Sequence, residues 1–236
     1  MARPPKPERK TELLAEILTY LLDKSVADLT FRSLADGLGI SSYVLVYHFG
    51  NREQLVGEIV RSIESRQDHI KHADVSQVSR EQFAEWLNNA WQWCLQQRNR
   101  NLQRLEFEAS MQDLVLPVQR GDAQESFRLW FELARNWLRV QGVSDAVAVT
   151  DARLFAASFY GLQYDYVVMN DADAATAAFS RMVDVFFQNL DFRLGKSDLP
   201  GFTGGVSVAG GSSDGGSSDG GSSDGANAAT TAPADA

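Results

Sequence analysis

The 236-residue chain has one cysteine, Cys94, and three histidines, His48, His69 and His72. A single thiol excludes an internal disulfide and points to a reducing compartment. Three imidazoles give acid–base catalysis little to work with, and no G-x-S-x-G, H-E-x-x-H or phosphate-loop motif occurs. The expectation is a protein that is not an enzyme and holds no cofactor or metal. His69 and His72, at i, i+3 near Asp68 and Asp74, make half a metal site at most and read as an exposed connector. Long apolar runs are missing too. No stretch approaches the ~20 apolar residues of a membrane span. Glu12 and Glu16 interrupt the apolar part of 11–22, unlike a signal-peptide core. The expected location is cytoplasmic, with no membrane partner.

An excess of positive charge is also absent. The formal net charge is −9, which argues against indiscriminate coating of nucleic acid or membranes. The charge is uneven. Arg3, Lys6, Arg9 and Lys10 face only Glu8 in residues 1–10, so 1–9 reads as a basic arm. The acids Asp198, Asp214, Asp219, Asp224 and Asp235 lie near the other end. There the unit GGSSD repeats, and Gly and Ser bury nothing, so 196–236 reads as a disordered tail.

What is present is helical periodicity, at an ordinary 44% hydrophobic content. Leu14, Ile17, Leu18 and Leu21 recur at i, i+3, i+4, i+7. Thr30 caps a short helix with Leu34, Ala35 and Leu38 on its apolar face, and Gly39 stops it. Ser41 or Ser42 caps the next, with Leu45 and Phe49. Asn51 caps another, with Leu55, Ile59 and Ile63. Ser79 to Gln82 is a capping box. Helical runs follow at about 101–115, 122–140, 145–170 and 173–194. No alternating strand pattern appears. The fold class is all-α, about nine helices: a three-helix head at 10–55 and a larger helical domain at 56–195.

The head is the informative part. Ala35 lets two helix backbones approach, Gly39 supplies the positive φ of a tight turn, and Ile40 and Leu45 seal the corner. That is helix-turn-helix chemistry. The run Ser41–Phe49 is short because only one face is held. The other is free to enter a DNA major groove with hydroxyls, aromatics and a histidine.

The stretch "LTFRSLADGLGISSYVLVYHFGNREQLV" resembles the DNA-binding domain of the tetracycline-repressor (TetR) family of bacterial regulators. The resemblance covers about residues 10–60. It implies a head joined by a fourth helix to a domain that binds a small molecule and dimerises. By position, Arg32 reaches DNA from the second helix. Ser42, Tyr43 and Val44 lie at the exposed start of the recognition helix. Tyr47 and His48 lie near phosphates, and Arg52 stands where a phosphate-binding lysine is usual. Thr30 and Ser41 complete the DNA-facing set. Val46 departs from the pattern, which usually has tyrosine there. The two tyrosines packing on neighbouring helices, His48 tying the head together and Arg32 as a surface charge are the structural alternatives.

The resemblance also implies a small-molecule effector. The expected largely apolar site comprises Trp93, Phe107, Met111, Trp130, Phe131, Trp137, Phe155, Phe159, Tyr160, Gln163 and Tyr164, with Gln103 and Asn136 as further polar groups. Cys94 reads as a buried, inert thiol. Small and large residues share the last two long helices: Ala157, Gly161 and Leu162 on one, Ala174, Ala178, Met182, Val183, Phe186 and Leu190 on the other. Paired across two chains they make a four-helix homodimer interface. The functional expectation is a repressor released by ligand from palindromic double-stranded DNA. The rival readings are a regulator controlled by a protein partner and a helical small-molecule carrier or enzyme without DNA binding.

Overall fold

Helix starts in this chain are written as pairs of side chains that close each other. Thr30 Oγ1 accepts from the Ser33 backbone N–H at 3.0 Å, while Ser33 Oγ accepts from the Thr30 N–H at 3.1 Å. Asn51 with Gln54, and Ser79 with Gln82, repeat the reciprocal pattern. Each satisfies two of the backbone donors that a helix start leaves free. The computed structural model describes residues 7–64, 73–114 and 122–196. The GGSSD tail, most of the basic arm and the His69/His72 connector lie outside them.

The described residues form nine α-helices and no strand. They are α1 (Pro7–Leu21), α2 (Phe31–Leu38), α3 (Ser42–Phe49), α4 (Arg52–Glu64), α5 (Arg80–Leu95), α6 (Gln97–Leu114), α7 (Asp122–Val140), α8 (Asp145–Met169) and α9 (Ala172–Arg193). A 3-10 turn, Val75–Gln77, precedes α5. The Asp74 carboxylate caps that turn. The Ser76 backbone N–H and hydroxyl hold it below its usual pKa. The sixth helix starts four residues before the expected 101, because only Gln96 interrupts the chain after α5. None of these helices is long and apolar enough to cross a membrane.

Two apolar cores form within one packed unit. The first joins Leu13, Ile17 and Leu21 of α1, Leu34 of α2, Leu45 and Phe49 of α3, and Leu55, Ile59 and Ile63 of α4. Leu102, Leu105 and Ala109 of α6 complete it. The second belongs to α5, α7, α8 and α9 and is built on rings. Phe83 stacks on Trp137 at 4.3 Å, and Trp91 on Phe179 at 4.8 Å. Both indole N–H groups are satisfied: Trp91 donates to Thr176 Oγ1 and Trp137 to the Val78 carbonyl, each at 3.0 Å. Buried rings of this kind contribute both area and a hydrogen-bonding handle.

The turn between α2 and α3 sets their angle. Gly39 has φ 66°, and the Ile40 N–H donates to the Ala35 carbonyl at 3.0 Å. Two residues earlier, Gly37 lies so close to the Tyr20 ring that a Cβ would sit 2.1 Å from it. At Gly39 a Cβ would meet nothing within 4 Å. Substitution there should therefore cost only conformational energy. Gly39→Ala should lower stability by about 1–2 kcal/mol, and Gly39→Asn by less. Urea unfolding measures both. A neutral Ala variant would show that the left-handed turn is not required.

Candidate nucleic-acid interface and apolar cavity

The third helix is held by Leu45 and Phe49, which are buried, and turns the opposite side outward. Tyr43, Val46 and Tyr47 lie toward that side by helical geometry, and Ser42 is exposed at the helix start. Their exposure is substantial: 71% for Tyr43, 49% for Val46 and 39% for Tyr47. Large side chains are rarely left in water this way along a whole helix face. The two tyrosine rings lie nearly parallel, 6.4 Å apart with 22° between planes. Ser42 Oγ donates to the Phe31 carbonyl at 3.5 Å, which sets the start of α2 beside the start of α3. Arg32 is exposed there.

The remaining expected DNA residues have other duties. Thr30 and Ser41 are N-caps, accepting from Ser33 N–H and Tyr43 N–H. Val44 is half-buried. His48 is half-buried between Tyr47 and Phe49, and its Nδ1 has no hydrogen-bond partner among the described residues. Arg52, expected at phosphates, turns inward. Its Nε donates to the Leu29 carbonyl at 2.8 Å, and its Nη2 to the Val26 carbonyl at 2.8 Å and to Gln112 Oε1 at 3.1 Å. Val46 is the face residue that the expected set left out. Its exposure follows from a spacing already in the sequence, one residue past buried Leu45.

A second bracket lies beside Arg52. Arg104 on α6 donates to the carbonyls of Leu21, Leu22 and Lys24 at 3.1, 3.3 and 2.9 Å. It also pairs with Glu108 one turn on. Glu108 Oε2 accepts from the Val26 N–H at 2.7 Å and from Ser25 Oγ at 3.0 Å. Arg104, Glu108 and Gln112 stand at i, i+4, i+8, a stripe along α6 aimed at the segment from α1 to α2.

Another side of α6 borders a cavity of about 550 Å³ between α6, α7 and α8. Phe107, Met111, Phe131 and Tyr160 line it, as expected, together with Phe127, Leu114 and Ser110. Glu106, only 5% exposed, is the acidic group on its wall, with Arg128 and Arg153 as the basic ones. Arg153 covers the rings of Phe127 and Phe131 at 5.4 and 5.1 Å.

The rest of the expected ligand set is elsewhere. Trp130, Trp137, Phe155 and Phe159 are buried in the aromatic core. Trp93 is half-buried, and its carbonyl accepts from Asn99 Nδ2 at 2.8 Å. Tyr164 is 57% exposed, edge-on to Phe107 at 5.6 Å. Asn136 is exposed. Gln163 is buried and its Oε1 lacks a partner among the described residues. Large rings at helical spacing fill a core and line a cavity equally well, so composition did not separate the two. Cys94 is buried, and desolvation followed by the nearby Glu106 charge pushes its thiol up to about 12. A thiol so far from ionising at neutral pH is unreactive.

Outside the core, α8 and α9 present a groove of about 700 Å³. Leu154, Gly161, Ala178 and Val185 line it and are exposed. Of the residues expected at a dimer interface, Ala157, Gly161, Ala174 and Ala178 face outward, Leu162 and Met182 are half-buried and line the groove, Phe186 is buried but borders it, and Leu190 is buried in the core.

Removing Arg104 takes the charged donor from three carbonyls and leaves Glu108 with the Val26 N–H and the Ser25 hydroxyl alone. Arg104→Ala should lower stability by about 1.5–3 kcal/mol and speed amide exchange across residues 21–29, with α8 and α9 unaffected. Wild-type exchange rates in that segment would rule out the bracket as its anchor.

No family model matches the sequence, and no curated protein is significantly similar to it. Solved structures are similar in fold. A TetR transcriptional regulator from Legionella pneumophila is 17% identical, with 80% of this chain and 99% of that one covered, at a TM-score of 0.56. A putative transcriptional regulator from Saccharomonospora viridis, solved in complex with choline, is 18% identical, with 78% and 98% covered, at a TM-score of 0.61. BioQ, solved with its double-stranded DNA operator, is 22% identical, with 77% and 96% covered, at a TM-score of 0.53. The four-helix head, the exposed α3 and the helical body behind them together have the fold of the TetR transcriptional regulators.

Proposed function

We propose that this protein is a homodimeric transcriptional repressor that α3 seats on a palindromic DNA operator and that a small, largely apolar molecule releases. The observation that carries the reading is the α3 face. Tyr43, Val46 and Tyr47 stand in solvent on a helix-turn-helix whose other side is fully buried. In this reading residues 10–55 are the DNA-binding head and 56–195 the effector and dimerisation domain. Helix α3 lies in the major groove, and the α2 start brings Arg32 to the same stretch of DNA.

The groove on α8 and α9 serves as the dimer interface. Leu154, Ala157, Gly161 and Tyr164 recur along one helix, and Ala174, Ala178, Arg181 and Val185 along the other. All are exposed. Small residues allow two copies to approach, and the apolar ones fill the gap, giving a four-helix contact. The symmetry of such a dimer sets two recognition helices on half-sites about 34–36 Å apart.

The cavity between α6, α7 and α8 serves as the effector site. A ligand lodged against Phe107 and Met111 displaces α6, and Arg104 and Glu108 carry that displacement to the α1–α2 segment. The ligand must favour one arrangement over the other, since equal affinity shifts nothing.

Selecting bound sequences from random DNA is the direct test. A palindrome should emerge, and a chain that enriches no DNA at all would end the regulator reading. On the selected palindrome, Arg32→Ala and Tyr43→Ala should each cost ~1–3 kcal/mol and leave the dimer intact. Tyr47→Ala should weaken all sequences alike, as loss of a phosphate contact does. Wild-type affinity in all three folded variants would remove α3 as the reader.

The interface has its own measurement. A buried, unpaired charge is expensive, so Leu154→Arg or Val185→Arg should yield a folded monomer by light scattering. Each should lose most of its affinity for the two-site palindrome while retaining a single half-site weakly. Variants that stay dimeric would place the contact on another surface.

A further inference from the structure

The third helix lacks every side chain that forms a two-pronged hydrogen bond to a base. Read as Ser42-Tyr43-Val44-Leu45-Val46-Tyr47-His48-Phe49, it has no Arg, Lys, Asn, Gln, Asp or Glu. Arg or Lys reads guanine, Asn or Gln reads adenine, and Asp or Glu accepts from cytosine. Hydroxyls such as Ser42 can contact more than one base and discriminate weakly, whereas the thymine methyl is base-specific and is read by an apolar contact rather than a hydrogen bond.

The structure supplies that contact. Val46 is half exposed and lies next to Tyr43 and Tyr47 on the outward side of α3. Val44 and His48 flank the face and are half-buried, while Leu45 and Phe49 are committed to the core. The nearly parallel Tyr43 and Tyr47 rings, 6.4 Å apart, add apolar surface to the same exposed side of the helix. An exposed valine beside two exposed rings offers a largely apolar surface to a base methyl.

We infer that this helix selects its operator through thymine methyl groups, with Val46 as the residue that determines specificity. The inference rests on the DNA-binding reading above and names the chemistry that reading leaves open. Val46 does for sequence choice what a tyrosine hydroxyl at this position cannot do: it makes no hydrogen bond to any base and pays no desolvation penalty at a methyl. Arg32, exposed at the start of α2, stands beside this face and supplies the charge that the helix lacks.

The test uses the full-length protein and the palindrome it selects from random DNA. Each half-site should contain at least one thymine at a position that selection holds fixed. Replacing that thymine by uracil removes one methyl and changes no hydrogen bond. Wild-type protein should then bind about fourfold more weakly for each buried methyl lost. With Val46→Ala, thymine and uracil operators should bind within about twofold of each other on the same scale. Circular dichroism and light scattering confirm that the variant folds and dimerises, and the wild-type comparison decides even where it does not. Half-sites without a fixed thymine, uracil operators bound as tightly as thymine ones, or an undiminished uracil penalty in Val46→Ala would each overturn the inference. Failure to enrich any DNA would instead overturn the regulator reading, and this inference with it.

Discussion

One ion pair on α6 anchors the segment between α1 and α2. Arg104 and Glu108, one turn apart on α6, together take three carbonyls, one backbone N–H and one hydroxyl from the end of α1 and the segment after it. Arg52 reaches the same segment from the start of α4 and then closes back on Gln112 of α6. Non-helical backbone carries polar groups that must be satisfied where water is scarce. Here charged side chains satisfy them, and charge-assisted bonds are stronger than neutral ones. The α1–α2 segment is thereby held at both ends, and α2 and α3 are launched from a fixed base. Beneath the bracket, Leu102, Leu105 and Ala109 continue the head's apolar core into the body. A helix that completes one core and borders a cavity beside the other cannot move without moving both.

Charge placement bears on how an acidic chain could choose DNA in the proposed function. Of the two basic residues at the start of α1, Arg9 is paired with Glu12 and Glu16. Lys10 is paired with Glu58. Arg52 and Arg104 are turned inward. Non-specific affinity grows with each phosphate a protein neutralises, and with it the loss of affinity in salt. A head whose described cations are mostly committed to its own acids and carbonyls gains little from the bare backbone of any duplex. In the proposed regulator, selectivity then falls to the fit of α3 in the groove.

Much of this was legible in the sequence because it is local. Thr30, Asn51 and Ser79 announced their helices through side chains three residues away, and Gly39 announced its turn through a conformation other residues resist. The spacing of Leu34, Ile40 and Leu45 carried the helix-turn-helix. What sequence periodicity could not resolve was non-local. Arg52 read as a phosphate ligand because its place in the chain suited one, and only the fold brings the Val26 and Leu29 carbonyls within 2.8 Å of it. The aromatics of α5 to α8 read as one pocket. In the fold, Trp130, Trp137, Phe155 and Phe159 interlock in the core, while Phe107, Met111, Phe131 and Tyr160 border the cavity. The difference between filling space and enclosing it depends on which helix lies opposite, and period 3.6 carries no information on that. Leu190 illustrates the same limit, since it is buried in the core, whereas Phe186 is buried there and also borders the outer groove beside Ala178 and Val185.

The position of α6 also decides what kind of coupling the proposed regulator can have. Effector and DNA affect each other by one free energy, the same in both directions, typically ~1–3 kcal/mol. That amount is small beside the bracket taken whole, and comparable to one charged hydrogen bond within it. Full rupture of the Arg104–Glu108 bracket is therefore not needed for release. A shift of α6 that lengthens one or two of its bonds to the α1–α2 segment is enough to disfavour the DNA-bound spacing. Packed cores do not deform continuously and resolve such strain by moving between discrete arrangements. With Leu102 and Leu105 seated in the head core and Phe107 and Met111 at the cavity, α6 can act as a single lever whose two ends are felt at different sites.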